Sequence, residues 1–153
     1  MMKKTIIAAV IGALAAGALV GATTIAFAQA DIVKQRQDNR KATGPLMKGI
    51  KDTIDAKGDA KVIVVNAAKL KELEGAFEKM FPAGSDTNKD SHALPTVWTD
   101  MPGFLAASKA ADAAYDKLAV AAGSGDMVAT AAAFGDVGKA CGGCHTKYRA
   151  KLN

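Results

Sequence analysis

The residues best suited to chemistry lie together near the C terminus. Two cysteines are separated by two glycines and followed at once by a histidine, as Cys141-Gly142-Gly143-Cys144-His145. This C-x-x-C-H pattern is the attachment signature of c-type haem: two thiols add to the porphyrin vinyl groups, and the next residue offers an imidazole to the iron. We predict one covalent haem c, with Cys141 and Cys144 as the thioether links and His145 as the axial iron ligand.

Two other uses of the same motif are less well supported. A thioredoxin-like dithiol would begin a helix in a βαβ setting, and the chain shows no alternating strand pattern. A zinc site would need further cysteine or histidine ligands, and the only other histidine is His92. A colourless protein would favour the dithiol, so the colour of a purified sample separates these hypotheses.

The N terminus has the features of an export signal. Lys3 and Lys4 precede an apolar run, and Ala26-Phe27-Ala28 offers small residues at a cleavage point, with a second possible point two residues later. A retained membrane anchor is the alternative, but the glycine-broken run is short for a membrane helix. We predict a cleaved signal peptide over residues 1–28, one mature domain over residues 29–153, and a periplasmic location.

Composition narrows the function classes further. The 153 residues suit one domain, and a chain that is 50% apolar and 23% charged has enough apolar content for a buried core. Without residues 1–28 the net charge falls from +5 to +3 and shows no basic run, so nucleic-acid binding loses its support. Five phenylalanines, two tyrosines and one tryptophan are few for a well-filled core, and a bulky apolar cofactor would complete it.

Helical spacing recurs four times in the mature chain, near residues 31–56, 60–80, 103–122 and 126–152. Seams with this spacing pack at the shallow crossing angle of four-helix bundles, so we predict an all-α antiparallel four-helix bundle that carries the haem motif on its last helix. The predicted inward positions are Arg36, Arg40, Thr43, Met47, Ile50 and Ile54; Ile63, Asn66, Leu70, Leu73, Phe77 and Met80; Phe104, Ser108, Ala111, Tyr115, Leu118 and Ala122; and Met127, Ala131, Phe134, Gly138, Cys141, His145, Tyr148 and Leu152.

The connectors agree with an antiparallel bundle. Residues 57–59 and 123–126 are short and rich in turn-forming residues, which favours antiparallel neighbours. The connector at 81–102 is long and holds three of the four prolines, so we expect it to cover one end of the bundle or a cofactor. Pro45, beside Gly44, is predicted to kink or restart the first helix because it lacks an amide donor.

A C-terminal haem motif on a four-helix bundle resembles the class II c-type cytochromes, the cytochrome c prime family. The resemblance extends over most of the mature chain. Ala133-Phe134-Gly135-Asp136-Val137-Gly138 and Tyr148-Arg149 are similar to the family's last helix, on either side of the haem motif. Phe81-Pro82-Ala83-Gly84-Ser85 resembles its central crossing, Val97-Trp98 its entry to the third helix, and Arg36-Gln37 its first helix.

The resemblance implies a periplasmic haem protein, commonly a homodimer through its first two helices. It implies that Arg149 flanks the axial histidine on the proximal side and that Arg36 and Gln37 approach the haem propionates. It also implies that His92 lies near a propionate or the haem edge, although a solvated loop histidine is an equal alternative.

The resemblance further implies that Arg40, four residues after Arg36, faces the open side of the iron. A guanidinium cannot normally coordinate iron, so methionine ligation from this position is excluded. Arg40 either reaches a haem propionate or the end of the bundle, or stays near the iron and hydrogen-bonds a ligand. Asn39 lies off the predicted inward stripe, and we assign Met47 to the core. We therefore predict mainly five-coordinate iron that can bind NO and CO.

The predicted function is one-electron transfer between periplasmic redox partners, with binding of small gases at the open iron position. A dedicated gas-binding or NO-protective protein is the first alternative. A weak peroxidase-type enzyme is the second, and it needs a distal acid–base residue; because no distal histidine or carboxylate is evident, we predict no enzyme. We expect no nucleic-acid partner and, after signal cleavage, no membrane association.

Overall fold

The structure is a computed structural model that describes residues 8–86 and 90–151, with side chains from residue 31 onward. Within these residues the chain forms five α-helices and no strand, which confirms the all-α prediction. The helices are α1 (Ala8–Asp55), α2 (Ala60–Phe77), α3 (Thr96–Thr99), α4 (Met101–Gly123) and α5 (Met127–Tyr148), with a 3₁₀ turn at Glu78–Met80. The four long helices form the predicted four-helix bundle. The long connector predicted at residues 81–102, which we call the central crossing, contains α3 as a single helical turn.

Part of the predicted signal peptide lies outside this description. Residues 1–7 are not described, and no side chain is described before residue 31, so the signal over residues 1–28 stays a prediction. Among the residues that were described, no helix has both the length and the apolar content that a membrane span requires.

Aspartates define the starts of three long helices. Asp59, Asp100 and Asp126 precede α2, α4 and α5, and each side chain accepts a hydrogen bond from a backbone N–H in the first turn. The tight turns before α2 and α5 contain residues with positive φ, 50° at Lys57 and 78° at Gly125. These short connectors make α1 and α2, and α4 and α5, close neighbours, as the sequence predicted.

Pro45 does not end the first helix. The structure continues α1 through Pro45 to Asp55, so the predicted restart is wrong. Pro45 is exposed, while Val33 and Ile50 on either side of it are buried at 4% and 0% exposure. Packing of these flanking turns holds the helix together despite the missing amide donor.

The predicted inward positions agree with the buried residues to a different degree on each helix. All six predicted positions of α4 are buried. On α2 the buried line runs through Ile63, Ala67, Leu70 and Glu74, so Asn66 and Leu73 were one residue out of register. This shift turns the buried face of α2 toward α4, against which it packs closely.

On α5 the buried positions are Thr130, Val137 and Tyr148, whereas the predicted Ala131, Gly138 and His145 are exposed. The reason is the packing of α5, which lies against α4 but hardly touches α1. The buried residues of α5 therefore face α4, and the side of α5 that faces α1 is not covered by that helix. Leu152 lies outside the described residues.

Five of the seven aromatic side chains that the structure describes gather at the end of the bundle that the central crossing covers: Phe77, Phe81, Trp98, Phe104 and Tyr148. Phe81 and Phe104 have ring centroids 4.8 Å apart, and Phe104 and Tyr148 have centroids 5.5 Å apart. The crossing is tied to the end of α5, because Leu94 N donates to Tyr148 O at 3.0 Å and Ala150 N donates to the His92 carbonyl at 2.8 Å. The prediction that the long connector covers one end is confirmed.

Candidate cofactor site

A cavity of about 580 Å³ opens where α1 and α5 fail to meet. Its size lies in the range of small-molecule and cofactor sites, about 300–1,000 Å³. The structure brings every predicted site residue to its wall. These residues are Arg36, Gln37, Arg40, His92, Cys141, Cys144, His145 and Arg149.

The α5 wall carries the two thiols and the imidazole. Cys141 and Cys144 are half-buried and form no disulfide, and His145 is more exposed. Burial raises the pKa of both thiols. Burial, and then the charge of Arg149, lowers the pKa of His145, which keeps its imidazole neutral and able to donate a lone pair to a metal.

Tyr115 of α4 belongs to the buried core cluster against which Cys141 packs. Burial, and then the nearby Cys141, raises the pKa of the Tyr115 hydroxyl well above its ordinary value. The α4 seam predicted Tyr115 as a core residue; only the packing shows its contact with Cys141.

The opposite wall carries an ion pair. Arg40 of α1 donates from one terminal nitrogen to Glu74 Oε2 at 2.7 Å and from the other to the Leu73 carbonyl at 3.1 Å. The other carboxylate oxygen of Glu74 accepts from the Ser108 hydroxyl at 2.7 Å. Arg40 also lies over the Phe77 ring, with Cζ 3.8 Å from its centroid. The guanidinium therefore has a carboxylate partner from the protein itself.

Glu74 was missed by the sequence reasoning, which found no distal carboxylate. It is 6% exposed and lines the cavity, so the cavity contains a carboxylate that the sequence did not predict. The signal was available: Ile63, Ala67, Leu70 and Glu74 follow each other at intervals of four, three and four. The charge of Glu74 excluded it from a stripe chosen for apolar residues.

Arg36 and the buried Asn39 connect α1 to other elements. Arg36 Nε donates to the Met80 carbonyl at 2.6 Å, and its terminal nitrogens donate to the carbonyl and hydroxyl of Ser85. Burial lowers the pKa of Arg36 to about 10, so the guanidinium stays charged at neutral pH. Asn39, which the sequence placed off the inward stripe, donates to the Leu73 carbonyl at 3.0 Å.

The remaining predicted residues lie at the mouth of the cavity. Gln37 Nε2 donates to the Asp90 carbonyl at 3.2 Å. His92 and Arg149 are exposed, and an isolated antiparallel bridge between Ala93 and Arg149 holds them near each other. The haem-directed roles of Gln37, His92 and Arg149 remain predictions.

The donor set and the space fit a covalent haem. Two thiols that are free to form thioethers and one neutral imidazole lie within one turn of α5 and line a single cavity. Apolar and aromatic side chains, among them Phe77, Phe104 and Ala107, provide the surface that a porphyrin plane requires.

The comparison with known families agrees with this chemistry. The family profile described as Cytochrome C' matches residues 31–149. The chain belongs to the cytochrome c' family. Proteins of this family bind haem c, and the match covers both walls of the cavity.

Individual cytochromes c' support the same assignment. The chain is 41% identical to cytochrome c' of Rubrivivax gelatinosus over 93 residues, which cover 61% of this chain and 72% of that protein. It is 32% identical to cytochrome c' of Rhodopseudomonas palustris over 143 residues, 89% and 93% of the two chains. A nitric oxide complex of a cytochrome c prime variant from Alcaligenes xylosoxidans superposes with a TM-score of 0.72 at 31% identity, over 81% of this chain and 97% of that one.

Proposed function

We propose that this chain is an exported haem c protein that binds small gases and exchanges single electrons. The observation that carries the proposal is the meeting of Cys141, Cys144 and His145 on one wall of a cavity large enough for a porphyrin. In this proposal the cysteines form the two thioether links and His145 is the axial ligand. Haem would supply an iron that accepts one electron and can bind NO or CO.

The residues of the chain favour an open position there. No methionine is found among the described residues that line the cavity, and Met47 packs instead against the core cluster that contains Ile50, Ile63 and Leu118. Arg40 is a donor and not a ligand, because its guanidinium has no available lone pair. The nitric oxide complex of the relative from Alcaligenes xylosoxidans supports gas binding as part of the function.

One-electron transfer is supported by the position of the cavity mouth. His145 and Arg149 are exposed, so a haem attached beside them would have an edge close to solvent, where a redox partner could approach. A dedicated gas-binding or NO-protective protein is the alternative, and the same nitric oxide complex favours it.

We do not propose an enzyme, although the cavity contains a carboxylate. Both oxygens of Glu74 already accept hydrogen bonds, one from Arg40 and one from Ser108. A general acid or base must have an oxygen within reach of the proton that it moves, and Glu74 is committed to its partners.

We further propose that residues 1–28 are removed on export to the periplasm, that residues 29–153 form the mature domain, and that it dimerises through α1 and α2. Val62 and Val65 support the dimer, because they are 44% and 51% exposed on the outer side of α2.

Visible spectra of the purified protein, with and without carbon monoxide, test the proposed function. We expect a covalently bound haem c, a high-spin five-coordinate ferrous form and a clear spectral change on addition of carbon monoxide. The sharp bands of a low-spin methionine complex in the ferrous protein would contradict the open position. A colourless protein would contradict haem attachment itself. Cys141→Ser and Cys144→Ser should each reduce covalent attachment, measured as haem that stays with the polypeptide after denaturation.

A further inference from the structure

The wall of the cavity that faces the haem motif is charged rather than apolar. Arg40 and Glu74 form an ion pair of 2.7 Å, with side chains 31% and 8% exposed, and both residues line the cavity. Ser108 holds the second oxygen of Glu74 from α4. The carboxylate is thus anchored by two helices, and it holds the guanidinium in one place.

The hydrogen bonds of Arg40 to the protein do not use all of its guanidinium N–H groups. A guanidinium carries five N–H groups. Three of them donate, to Asn39 Oδ1 at 2.8 Å, to Glu74 and to the Leu73 carbonyl. The side chain is partly exposed at the cavity wall, so the two remaining N–H groups are available to an acceptor inside the cavity.

The pair lies within electrostatic reach of the haem motif. Arg40 and Glu74 line the same cavity as Cys141, Cys144 and His145. A haem attached to Cys141 and Cys144 would therefore share its cavity with the Arg40–Glu74 ion pair.

We propose that Arg40, positioned by Glu74, makes this side of the cavity a binding site for small inorganic anions on the ferric protein. A charged N–H donor favours an anion or a strongly polarised ligand atom far more than a weakly polar gas such as carbon monoxide. The proposal rests on the proposed haem attachment. It adds a second ligand class to the neutral gases.

Fluoride is the probe, because it is a small anion that accepts hydrogen bonds. We would titrate fluoride into the ferric holoprotein and carbon monoxide into the ferrous holoprotein, and follow both by visible absorption. Arg40→Leu should weaken fluoride binding about tenfold or more, equivalent to about 1.4 kcal/mol, and change carbon monoxide affinity less than about threefold. Arg40→Lys should recover part of the fluoride affinity, because it keeps a cation and donors.

Lys71→Leu is the matched control. Lys71 pairs with Asp116 between α2 and α4 at 2.6 Å, on the exposed surface and away from the cavity. Its removal should leave both affinities unchanged. Haem content and circular dichroism establish folding of each variant, and Arg40→Lys serves as the test if Arg40→Leu does not fold.

The positioning role of Glu74 has its own readout, the haem midpoint potential. Removing the cation by Arg40→Leu should lower the potential, and removing the anion by Glu74→Gln should raise it. The double variant should return toward the original value. A merely structural role for the pair would not give shifts of opposite sign.

The outcomes separate the two proposals. No fluoride binding to the unaltered ferric protein, or equal fluoride affinity with and without Arg40, overturns the anion site. A change in potential without a change in fluoride affinity also overturns it, and assigns Arg40 to a haem propionate. Failure of the ferrous protein to bind carbon monoxide contradicts the proposed gas binding instead, while fluoride binding that depends on Arg40 would still support the anion site.

Discussion

Replacing Arg36 by alanine should release the central crossing from the bundle. Arg36 is 5% exposed and donates from α1 to the Met80 and Ser85 carbonyls and to the Ser85 hydroxyl. Its Cζ also lies 4.2 Å from the centroid of the Phe81 ring. The family resemblance implies that Arg36 approaches a haem propionate, which stays a prediction; in the structure its donors bind the crossing.

The magnitude follows from these contacts. A hydrogen bond from a charged donor contributes about 1.5–3 kcal/mol, and a partly desolvated cation–π contact contributes about 0.5–2 kcal/mol. The contacts are not additive, and burial of the guanidinium opposes them, as the lowered pKa of Arg36 indicates. We expect Arg36→Ala to reduce the free energy of unfolding by about 2–4 kcal/mol.

Urea unfolding of the holoprotein, followed by far-ultraviolet circular dichroism, measures this loss. Limited proteolysis should cut faster within residues 81–97. Ser85→Ala, which removes only the hydroxyl acceptor, should cost about 1 kcal/mol. Lys34→Ala is the control, because Lys34 is an exposed cation on the same helix and its removal should change little. A loss below about 1 kcal/mol with unchanged proteolysis would refute the bracing role of Arg36.

Three further predictions concern the bundle and its cavity. Gly103→Ala should destabilise the protein by more than about 1 kcal/mol, because the new methyl group would lie 2.5 Å from the Tyr148 hydroxyl; thermal unfolding measures the loss. Ala107→Phe should reduce covalent haem content several-fold, since Ala107 lines the cavity. Asp112→Asn should raise the melting temperature at neutral pH, because burial, then Glu74, raises the pKa of the Asp112 carboxyl. The Asp112 carboxyl therefore binds its proton more tightly in the folded protein than in the unfolded chain. Its contribution to the free energy of unfolding falls as the pH rises above the pKa of the unfolded chain.

Each of these predictions has a control. Gly138→Ala should stabilise the protein by up to about 1 kcal/mol, because nothing lies within 4 Å of the new methyl group and alanine is the better helix former. Ala106→Phe, on the exposed side of α4, should leave haem content unchanged. Asp116→Asn should not stabilise, since Asp116 loses its partner Lys71. The Asp112 prediction is wrong if Asp112→Asn raises the melting temperature as much at acid pH, where the carboxyl is protonated in both the folded and the unfolded chain.

The sequence alone was sufficient to predict the all-α architecture and to form the haem hypothesis. Cys141, Cys144 and His145 lie within five successive positions of the chain, so their spacing is local and the attachment hypothesis required no tertiary contact. All six predicted positions of α4 are buried, because that helix has neighbours on both sides, α2 and α5, and an apolar or small residue stands at every inward position; of its seven buried residues only Ala114 was missed. Helical periodicity and short connectors are likewise local properties, and they were sufficient to predict the bundle.

Only the tertiary structure decided how the walls of the cavity are paired. Arg40 and Glu74 lie 34 residues apart, and Arg36 and Ser85 lie 49 apart, so no local pattern relates them. Several buried positions of α2 and α5 lie one residue away from the predicted ones, because rotation about a helix axis depends on which neighbours the helix meets. A periodic sequence specifies that a helix has a buried face, whereas packing against particular neighbours specifies the direction of that face and the partner of each buried charge.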